Sequence, residues 1–582
     1  MYLCQYFLTM IYIAPEILER VNKWLVPFFD QQTQEKIKEM IAYDPKGVED
    51  AFYKDLAFGT GGMRGIMGPG DNRINKYTLG KNTQGLSQYL KQVFPGEKLK
   101  VAIAYDCRHN SKSLAAEVAN VFSANGIEVY LFSDLRPTPE LSFAVKYLGC
   151  HCGIVLTASH NPPEYNGYKV YWQDGGQLVP PQDGEIISVI NGLSYTDIQF
   201  KPQADLIHSI DTELDEAFIT ASLENGLKNT TAEERKALKV VFTPLHGTSV
   251  TVIPEVLKRA GYEQLEVVQA QATPDGDFPT VKSPNPEEPE ALAMAVQMAE
   301  ESGADMVVGT DPDSDRLGIA VRDENGQMTI MNGNQAMVVK THFLLAQKAA
   351  SAGIQPKDYI ASTIVSTPMM GVMAQDFGLP CELGLTGFKW IAKMVKDEPH
   401  RNLIGGGEES FGFMVGDFVR DKDAVTATLL ACEIAAQQKA KRKTLLDYAV
   451  DLYEQYGVYQ EELISFVKPG KAGAEEIQAM MKALRETPLK EIIGEKVVRV
   501  DDYQNSLSTH ADGSTTAIDM PKSNVLIYWT DKGTKVAARP SGTEPKIKFY
   551  LSVNAPWEGN YRETQAGLLD KIDQIAKEFK LR

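Results

Sequence analysis

A serine-containing hexapeptide is the strongest candidate for nucleophilic chemistry in this sequence. Ser159 lies within Thr157-Ala-Ser-His-Asn-Pro162, directly after the apolar run 153–156. A serine at a strand-to-loop turn is presented to a cleft, and its histidine, asparagine and threonine neighbours can donate hydrogen bonds to an oxyanion or a phosphate. Lys169 follows on a predicted short strand and could return its cation to this loop. Taken alone, the hexapeptide could also be an Asx or proline turn, and it lacks the G-x-S-x-G pattern of serine hydrolases.

Three carboxylates at alternate positions form a candidate metal site. They are Asp311, Asp313 and Asp315, in a loop that follows the apolar run 306–309. Carboxylates that converge in a tight loop can bind one hard cation and leave coordination positions for a phosphate oxygen. An EF-hand is excluded, because its loop requires glycine at the sixth position and glutamate at the twelfth, and this chain has arginine at both. The loop therefore predicts a Mg²⁺ site, with a solvated acidic turn as the alternative.

The segment R-P-S-G-T-E-P-K near the end of the chain is a candidate phosphate-binding loop. Its small and hydroxylated residues Ser541, Gly542 and Thr543 allow successive backbone N–H groups to form an anion nest, and Arg539 adds a planar donor fork suited to phosphate. An exposed turn would have the same composition. The chain contains no G-x-x-x-x-G-K-[ST] motif, which disfavours a nucleotide hydrolase.

Two further loops could contact a sugar. In the segment G-G-G-E-E-S-F-G, Glu408 and Ser410 could accept hydrogen bonds from sugar hydroxyls, and the glycines permit close approach. Lys389, in T-G-F-K-W, could place a cation near them. A third glycine-rich segment, F-G-T-G-G-M-R-G, is not a dinucleotide fingerprint, because Arg64 stands at the last glycine position. A nicotinamide or flavin enzyme is therefore disfavoured.

The elements that carry these loops follow a repeated pattern. A β-branched run, a polar loop, an apolar-periodic helix, a glycine-containing break and a second apolar run occur three times, over residues 100–132, 239–268 and 358–383. Strands that alternate with helices predict parallel or mixed sheets, and three copies predict three related domains. Such sheets bind ligands at the carboxyl ends of their strands, where each copy carries polar residues. Beyond residue 490, four short strands and a helix over 561–579 predict a separate α+β domain.

We therefore predict an α/β fold of three similar mixed α/β domains and a smaller C-terminal α+β domain. A chain of 582 residues has room for three or four domains. The predicted ranges are 1–210 for the domain with the serine loop, 211–332 for the domain with the aspartate loop, 333–460 for the domain with the glutamate loop and 461–582 for the domain with the Arg539 loop.

Composition narrows the classes of partner. The net charge of −18, from 59 basic and 77 acidic residues, disfavours a protein that holds nucleic acid by neutralising phosphates. The six cysteines have no C-x-x-C spacing, which argues against a disulfide framework and structural zinc and predicts a cytoplasmic protein. The apolar segment 1–14 lacks a basic start and is too short to span a bilayer, so we expect no membrane partner. We interpret it as a short packing segment, or as residues that precede a true start at Met10.

In this order, the four loops resemble those of the α-D-phosphohexomutase family, and the resemblance covers roughly residues 45 to 560. The family's serine loop is similar to residues 157–162, its metal loop to 311–316, its sugar loop to 407–412 and its phosphate loop to 539–545. The resemblance implies three similar α/β domains and a smaller fourth domain around one central cleft, in agreement with the repeat.

The resemblance also implies a role for each candidate residue. Ser159 would be the phosphoserine, and one of its phosphate oxygens would complete the shell of a Mg²⁺ ion held by Asp311, Asp313 and Asp315. Arg64 would lie beside the phosphate. Lys169 would be the general acid/base, and His160 would belong to the catalytic set. The substrate-binding residues would be Lys389, Glu408, Ser410, Arg316, Arg539, Ser541, Gly542 and Thr543.

The implied activity is the interconversion of glucose 1-phosphate and glucose 6-phosphate through a phosphoserine enzyme, with glucose 1,6-bisphosphate as intermediate and activator. The sugar loop G-E-E-S-F-G is similar to the glucose type, and the long N-terminal region is similar to the large phosphoglucomutase branch that includes phosphopentomutases. A phosphomannomutase or phosphopentomutase is the first alternative. A Mg²⁺-dependent sugar-phosphate phosphatase and a silent sugar-phosphate sensor are alternatives from other classes. We expect small sugar phosphates as ligands and a monomer or homodimer.

Overall fold

The computed structural model describes residues 13–59, 61–468, 470–541 and 546–582. Most of the apolar start of the chain lies outside these ranges, as do Gly542 and Thr543 of the predicted phosphate loop. Among the described residues, no helix is both long and apolar enough to cross a membrane.

The first domain is built on a six-stranded mixed sheet. Its elements are α1 (Pro15–Trp24), α2 (Gln31–Tyr43), α3 (Pro45–Phe52), β1 (Gly62–Ile66), α4 (Lys76–Val93), β2 (Lys100–Tyr105), α5 (Ser111–Ala124), β3 (Glu128–Phe132), α6 (Thr138–Tyr147), β4 (Cys152–Leu156), β5 (Tyr165–Trp172), α7 (Gln182–Asn191) and β6 (Ile207–Ile210). The strand order is β1-β5-β4-β2-β3-β6. Strands β4, β2, β3 and β6 are parallel, whereas β5 is antiparallel to both of its neighbours.

The second domain has a five-stranded sheet of order β11-β10-β9-β7-β8. Its elements are α8 (Thr212–Gly226), α9 (Ala232–Ala237), β7 (Lys239–Thr243), α10 (Ile253–Ala260), β8 (Gln264–Val267), α11 (Gln269–Ala272), α12 (Pro289–Ser302), β9 (Met306–Thr310), β10 (Leu317–Arg322) and β11 (Met328–Met331). Strands β9, β7 and β8 are parallel, and β10 is antiparallel to β9 and β11.

The third domain has a four-stranded sheet of order β13-β12-β14-β15. Its elements are α13 (Gly333–Ser351), β12 (Asp358–Thr363), α14 (Met369–Asp376), β13 (Cys381–Gly384), α15 (Lys389–Asp397), β14 (Asn402–Gly407), β15 (Phe413–Val415), α16 (Ala424–Ala440) and α17 (Leu445–Tyr456). Strands β13, β12 and β14 are parallel, and β15 is antiparallel to β14.

The C-terminal domain is an antiparallel sheet with two long helices. Its elements are β16 (Val458–Val467), α18 (Gly470–Glu486), β17 (Glu491–Ile492), β18 (Glu495–Asp502), β19 (Leu507–His510), β20 (Thr515–Ala517), β21 (Leu526–Thr530), β22 (Lys535–Pro540), β23 (Lys546–Ala555) and α19 (Tyr561–Glu578). The main strand order is β16-β23-β22-β21-β18-β19-β20, and β17 pairs with β18.

The first three sheets contain the same four-strand unit. The unit is β5-β4-β2-β3 in the first domain, β10-β9-β7-β8 in the second and β15-β14-β12-β13 in the third. In each unit, three strands are parallel and the fourth returns as the antiparallel arm of a hairpin. The three hairpin loops are residues 157–164, 311–316 and 408–412, which we call the serine loop, the metal loop and the sugar loop. The repeat therefore places three candidate loops at one topological position.

The predicted fold class is confirmed by three mixed sheets and a separate antiparallel sheet. The predicted C-terminal strands and final helix correspond to β18, β21, β22, β23 and α19. The predicted boundary at 460/461 falls inside β16, which pairs along its whole length with β23. Residues 458–460 therefore belong to the C-terminal sheet, and the cause is a partner strand some ninety residues away that no local pattern reveals. The other domain boundaries stay predictions.

Buried apolar side chains anchor the strands that lead to these loops. One continuous cluster joins the second, third and C-terminal domains and includes Val308 of β9 and Phe549 of β23. The first domain has its own cluster, which includes Ile103 of β2 and Ile154 of β4. Because packed strands hold their ends in fixed positions, the polar loops that follow them are positioned by the core.

Candidate active site

Ser159 lies just beyond the carboxyl end of β4 and is only 3% exposed. Its φ of 51° lies in the left-handed region, which is unusual for a residue with a Cβ. The backbone N–H of Ser159 donates to Oγ1 of Thr157 at 2.8 Å. The Ser159 hydroxyl donates to Oδ2 of Asp311 at 2.7 Å and lies 3.1 Å from Nδ1 of His160. The serine loop is thus in direct contact with the metal loop.

Asp311, Asp313 and Asp315 form a buried group, and ligand oxygens from the three carboxylates lie within 4.8 Å of one another. Asp311 Oδ1 accepts hydrogen bonds from the backbone N–H groups of Asp315 at 3.1 Å and Arg316 at 3.0 Å. Within the described part of the chain, Asp313 Oδ1 and Asp315 Oδ1 accept no hydrogen bond. Buried carboxylate oxygens without a donor are costly unless a cation binds them, so this all-oxygen donor set fits a hard divalent ion.

Two lysines from different domains contact the other oxygens of the triad. Nζ of Lys169, on β5, lies 2.6 Å from Asp313 Oδ2 and 3.1 Å from Asp315 Oδ2. Nζ of Lys422, just before α16, lies 3.1 Å from Asp315 Oδ2 and 3.2 Å from Asp421 Oδ1. Burial lowers the pKa of Lys169, but Asp313 and Asp315 outweigh burial and leave that pKa raised. Asp313 and Asp315 therefore each direct Oδ2 to a lysine, whereas their Oδ1 atoms accept no hydrogen bond from the described residues and could bind a metal ion.

The carboxyl groups of the aspartate triad differ in the direction in which their pKa values are shifted. Burial, followed by repulsion from its two aspartate neighbours, raises the pKa of Asp311 well above its usual value. Burial also tends to raise the pKa of Asp315, but Lys169 and Lys422 outweigh it and lower that pKa overall. Asp311 is therefore the carboxyl group that most needs a bound cation to stay ionised, and it is the one that contacts Ser159.

Arg64 and Arg316 bring positive charge to the serine loop. Arg64, on β1, donates from Nη1 to Oδ1 of Asn161 at 2.6 Å, and its side chain is exposed. Arg316 forms an ion pair with Glu287. The pKa of His160 lies well below its usual value. Burial is the main cause, and the positive charges of Arg316 and Arg64 lower it further. His160 is therefore neutral near pH 7, and the two arginines are close enough to the loop to attract an anion there.

The sugar loop is tied to the metal loop by Gly412. The backbone of Gly412 forms a β-bridge with Arg316. A Cβ at Gly412 would lie 2.4 Å from Cδ of Lys422 and 2.9 Å from Oε1 of Glu408, so only glycine leaves room for both side chains. Burial raises the pKa of Glu408 to about 7. The negative charge of Glu409 adds to this shift, and the positive charge of Lys422 opposes it.

Lys389 and Ser410 are both half-buried. Lys389 begins α15. Burial lowers the pKa of Lys389 to about 8, an effect that Asp183 of the first domain opposes and Arg539 of the C-terminal domain reinforces. Lys389 therefore lies where the first, third and C-terminal domains approach one another.

Arg539 lies near the end of β22, at the start of the predicted phosphate loop. Burial raises the pKa of Tyr550, with Glu409 of the sugar loop adding to the shift and Arg539 opposing it. The backbone N–H of Ser541 donates to the carbonyl of Lys546 at 2.7 Å, which brings the two ends of the loop together. Arg539 of the C-terminal domain and Glu409 of the sugar loop therefore both lie near Tyr550.

The predicted site residues therefore fall into three groups. Those in direct contact are Ser159, His160, Lys169, Asp311, Asp313 and Asp315. Those that lie around this centre are Arg64, Arg316, Lys389, Glu408, Ser410, Arg539 and Ser541. Gly542 and Thr543 lie outside the described residues. The individual roles of all these residues stay predictions.

Sequence reasoning missed Lys422 and Arg108. Lys422 lies in the charged run R-D-K-D before an apolar helix, a pattern typical of a solvated turn, and only the fold shows that it is buried. Arg108 follows Asp106 at the carboxyl end of β2, the edge where ligands bind in such sheets. This position at the ligand-binding edge of the sheet could have indicated from the sequence that Arg108 lies near the site.

Three family models and several known proteins match this chain. Family models described as phosphoglucomutase/phosphomannomutase alpha/beta/alpha domains I, II and III match residues 55–196, 216–326 and 332–456. The chain is 38% identical over 548 residues to a phosphoglucomutase of Staphylococcus aureus strain USA300, a match that covers 93% of this chain and 95% of the relative. It is 39% identical over 547 residues to the phosphoglucomutase of strain MRSA252, with the same coverage.

Solved structures share the fold at low sequence identity. The open form of pp63/parafusin, a phosphoglucomutase from Paramecium, has a TM-score of 0.69 and 17% identity, and the match covers 91% of this chain and 95% of that chain. A phosphoglucomutase/phosphomannomutase family protein from Burkholderia thailandensis has a TM-score of 0.64 and 17% identity, with 90% of this chain and 97% of that chain covered. These likenesses show a common fold over nearly the whole length.

Proposed function

The chain belongs to the phosphoglucomutase/phosphomannomutase family, the α-D-phosphohexomutases, and we propose that it interconverts glucose 1-phosphate and glucose 6-phosphate. It is an isomerase of the phosphohexomutase type. Phosphorylated Ser159 passes its phosphoryl group to the sugar monophosphate, and the resulting glucose 1,6-bisphosphate returns its other phosphate to Ser159. The sugar loop G-E-E-S-F-G and the phosphoglucomutase relatives favour glucose as the sugar.

One contact carries the proposal. The Ser159 hydroxyl lies 2.7 Å from an oxygen of Asp311, within a buried group of three carboxylates. A divalent ion held by these carboxylates would lie beside the nucleophile and would neutralise charge on a phosphoryl group attached to it. The left-handed φ of 51° at Ser159 supports the same interpretation, because strained backbone is concentrated at functional sites.

Mg²⁺ fits the donor set of this site. Asp311, Asp313 and Asp315 would hold it, together with an oxygen of phosphorylated Ser159, and Oδ1 of Asp313 and of Asp315 accept no hydrogen bond among the described residues. When bound, Mg²⁺ neutralises charge on the phosphoryl group during transfer. Glucose 1,6-bisphosphate acts as activator because it can phosphorylate Ser159 directly.

Charged side chains around Ser159 supply positioning and charge stabilisation. Arg64 presents a guanidinium to the phosphoryl oxygens, while Asn161 fixes its orientation through a 2.6 Å hydrogen bond. Lys169 stays protonated because Asp313 and Asp315 raise its pKa. Its ammonium group donates a proton to the oxygen that leaves phosphorus, and the neutral amine that this leaves takes a proton from the attacking hydroxyl in the reverse direction.

The remaining loops bind the sugar phosphate. Glu408 and Ser410 accept hydrogen bonds from sugar hydroxyls, and Lys389 adds a cation near them. The loop that begins at Arg539 holds the phosphate that is not reacting. The C-terminal domain swings at the junction that follows α17, where Gly457 has a φ of 88°, and so closes the cleft and keeps water from the phosphoserine.

The ligands are small sugar phosphates, and the enzyme works in the cytoplasm as a monomer or homodimer. All five described cysteines are free, in keeping with a reducing compartment. The net charge of −18 disfavours nucleic acid as a partner.

The test compares glucose 1-phosphate, mannose 1-phosphate and ribose 1-phosphate with one preparation, in the presence of Mg²⁺ and glucose 1,6-bisphosphate. We expect kcat/KM to be at least about 10-fold higher for glucose 1-phosphate than for the other two. A preference for mannose or ribose phosphate would make the enzyme a phosphomannomutase or phosphopentomutase. Inorganic phosphate released as fast as substrate is consumed would identify a phosphatase. Ser159→Ala should abolish turnover, whereas Ser113→Ala, on the exposed face of α5, should not.

A further inference from the structure

A buried arginine lies underneath the serine loop. The guanidinium of Arg108 donates to four backbone carbonyls between Ser159 and Tyr165. The distances are 2.6 Å to Ser159 O, 2.7 Å to Pro162 O and 3.1 Å to Tyr165 O, and the fourth acceptor is Asn161 O. The serine loop is therefore wrapped around a single cation that reaches the carbonyl of the nucleophile itself.

Asp106 pairs with this guanidinium and helps to hold it in place. Nε of Arg108 lies 3.4 Å from Oδ2 of Asp106, and both side chains are fully buried. Oδ1 of Asp106 accepts hydrogen bonds from the backbone N–H of Arg108 at 2.9 Å and the hydroxyl of Ser111 at 2.7 Å. A buried charge is tolerated only when it is paired and hydrogen-bonded, and Arg108 meets both conditions through Asp106 and the loop carbonyls.

The second domain covers the other side of Arg108. The ring of Phe278, which is 1% exposed, lies 5.0 Å from the guanidinium carbon of Arg108. Its neighbour Gly276 approaches so closely that a Cβ there would lie 3.1 Å from Cα of Arg108. Asp277 adds a 2.6 Å contact to the ring of His109. The loop 275–278 of the second domain therefore packs against Arg108 and His109, in the segment that lies beneath the serine loop.

The same loop is connected to the metal loop. The backbone N–H of Asp275 donates to the carbonyl of His246 at 3.1 Å. Thr248 lies two residues after His246 in the chain, and its backbone N–H donates to the carbonyl of Pro312 of the metal loop at 2.8 Å. Between them, a Cβ at Gly247 would lie 2.4 Å from Cα of Pro312, so the two loops are in close backbone contact. A continuous path of contacts therefore runs from Arg108 to the aspartate triad.

We propose that Arg108, held by Phe278, is a positioning residue that sets the distance between the Ser159 hydroxyl and the aspartate triad. It is not a catalytic residue, because its guanidinium contacts the backbone carbonyls of the serine loop and Asp106 instead of the reacting groups. Its planar fork satisfies four acceptors at once, which the single ammonium of a lysine cannot do. This role rests on the proposed function, since it matters only if Ser159 carries the phosphoryl group.

The first experiment compares Arg108→Lys with the wild type in steady-state kinetics and in single-turnover phosphorylation of Ser159 by glucose 1,6-bisphosphate. Rates are expressed per phosphorylatable site, so that misfolded protein does not count. We expect both rates to fall by about 100-fold, because a small displacement of a reacting group has a cost of this size. The KM for glucose 1-phosphate should change less than twofold, because Arg108 touches no substrate.

Arg235→Lys is the matched control. Arg235 is also largely buried, donates to the carbonyls of Ala260 and Thr230 and lies 3.5 Å from Glu433, but it is outside the site. Both lysine variants should lower Tm by a similar amount, and only Arg108→Lys should slow turnover per site. An unchanged rate per site in Arg108→Lys would overturn the proposal and leave Arg108 a purely structural residue.

A second readout does not depend on catalysis. Amide hydrogen exchange of the serine loop should quicken by at least about 10-fold in Arg108→Lys, while exchange in β7 stays unchanged. Phe278→Leu, which keeps an apolar contact without the ring, should give a smaller increase in the same segment. Unchanged exchange of the serine loop would contradict the positioning role even in a protein that turns over no sugar phosphate. Absence of wild-type turnover would instead refute the proposed function, so the two failures are distinguishable.

Discussion

Lys169 and Lys422 place their ammonium nitrogens at the same distance, 3.1 Å, from a single oxygen, Oδ2 of Asp315. The two lysines belong to the first and third domains, and Asp315 belongs to the second. One oxygen therefore joins three domains, and the site exists only when all three are assembled. The two cations contact Oδ2 of Asp315, whereas its Oδ1 accepts no hydrogen bond among the described residues and could bind a metal ion.

Replacing Lys422 by methionine should tighten metal binding and slow catalysis. The change removes a positive charge 3.1 Å from Asp315 Oδ2, so the triad attracts a divalent ion more strongly. We expect the Kd for Mn²⁺ to fall by about threefold to tenfold and kcat to fall by about 100-fold. Titration followed by electron paramagnetic resonance measures the first quantity. Lys443→Met, which breaks an exposed pair with Asp451, serves as the control, and weaker Mn²⁺ binding by Lys422→Met would contradict the geometry described.

Mg²⁺ should stabilise the folded protein through the triad. An ion that binds only the folded state adds about 2.7 kcal/mol at a hundredfold excess over its Kd. We expect saturating Mg²⁺ to raise Tm by several degrees in the wild type and not at all in Asp313→Asn. The exposed variant Asp451→Asn should respond like the wild type. A Mg²⁺-dependent rise that survives in Asp313→Asn would place the ion elsewhere.

Activity should depend on the ionisation of Glu408. Burial raises the pKa of this carboxyl group to about 7, and its ionised form accepts hydrogen bonds from sugar hydroxyls more strongly than its protonated form does. We therefore expect kcat/KM to rise as the pH increases through about 7. Sugar phosphates titrate near pH 6 themselves, so the ratio of wild type to Glu408→Gln isolates the effect. A ratio that stays constant across this range would exclude a role for the ionised carboxylate.

Lys340 should destabilise the protein near neutral pH. It is 2% exposed, and burial lowers its pKa to about 7, whereas an unfolded lysine has a pKa near 10.4. Between these values the unfolded chain binds more protons than the folded chain, so this group makes stability increase with pH. Its contact with the Phe413 ring, 4.5 Å from Nζ, compensates only in part.

Lys340→Met should therefore raise the free energy of unfolding by about 2–4 kcal/mol at pH 7. The difference between the variant and the wild type should shrink steadily as the pH approaches 10. Thermal unfolding at pH 7, 8 and 9 measures this trend. A difference that is the same at all three values would show that the lysine is not desolvated in the folded state.

The fold and most of the site could be predicted from the sequence because their signals are local. Each candidate loop directly follows an apolar strand, and its residue types indicate its chemistry within six to eight positions. The repeat was visible because each copy alternates a strand with an amphipathic helix. Three such units, each with a returning hairpin, placed Ser159, Asp311 and Glu408 at equivalent ends of their sheets.

What escaped sequence reasoning depends on contacts between distant segments. Ser159 and Asp311 are 152 residues apart, and only the family resemblance led us to expect them to lie close together. The sequence did not indicate that Lys422 is buried in the site, because a charged run before a helix is usually exposed to solvent. The extent of β16 could not be read from its pattern either, since its partner β23 lies at the other end of the domain.

The most direct test is the intact mass of the protein before and after treatment with glucose 1,6-bisphosphate and Mg²⁺, followed by peptide mapping. We expect a single phosphate-sized increase located on Ser159, absent in Ser159→Ala and reversed when glucose 1-phosphate or glucose 6-phosphate is added in excess. A protein that interconverts these sugar phosphates while Ser159 never carries a phosphate would contradict the mechanism proposed for this site.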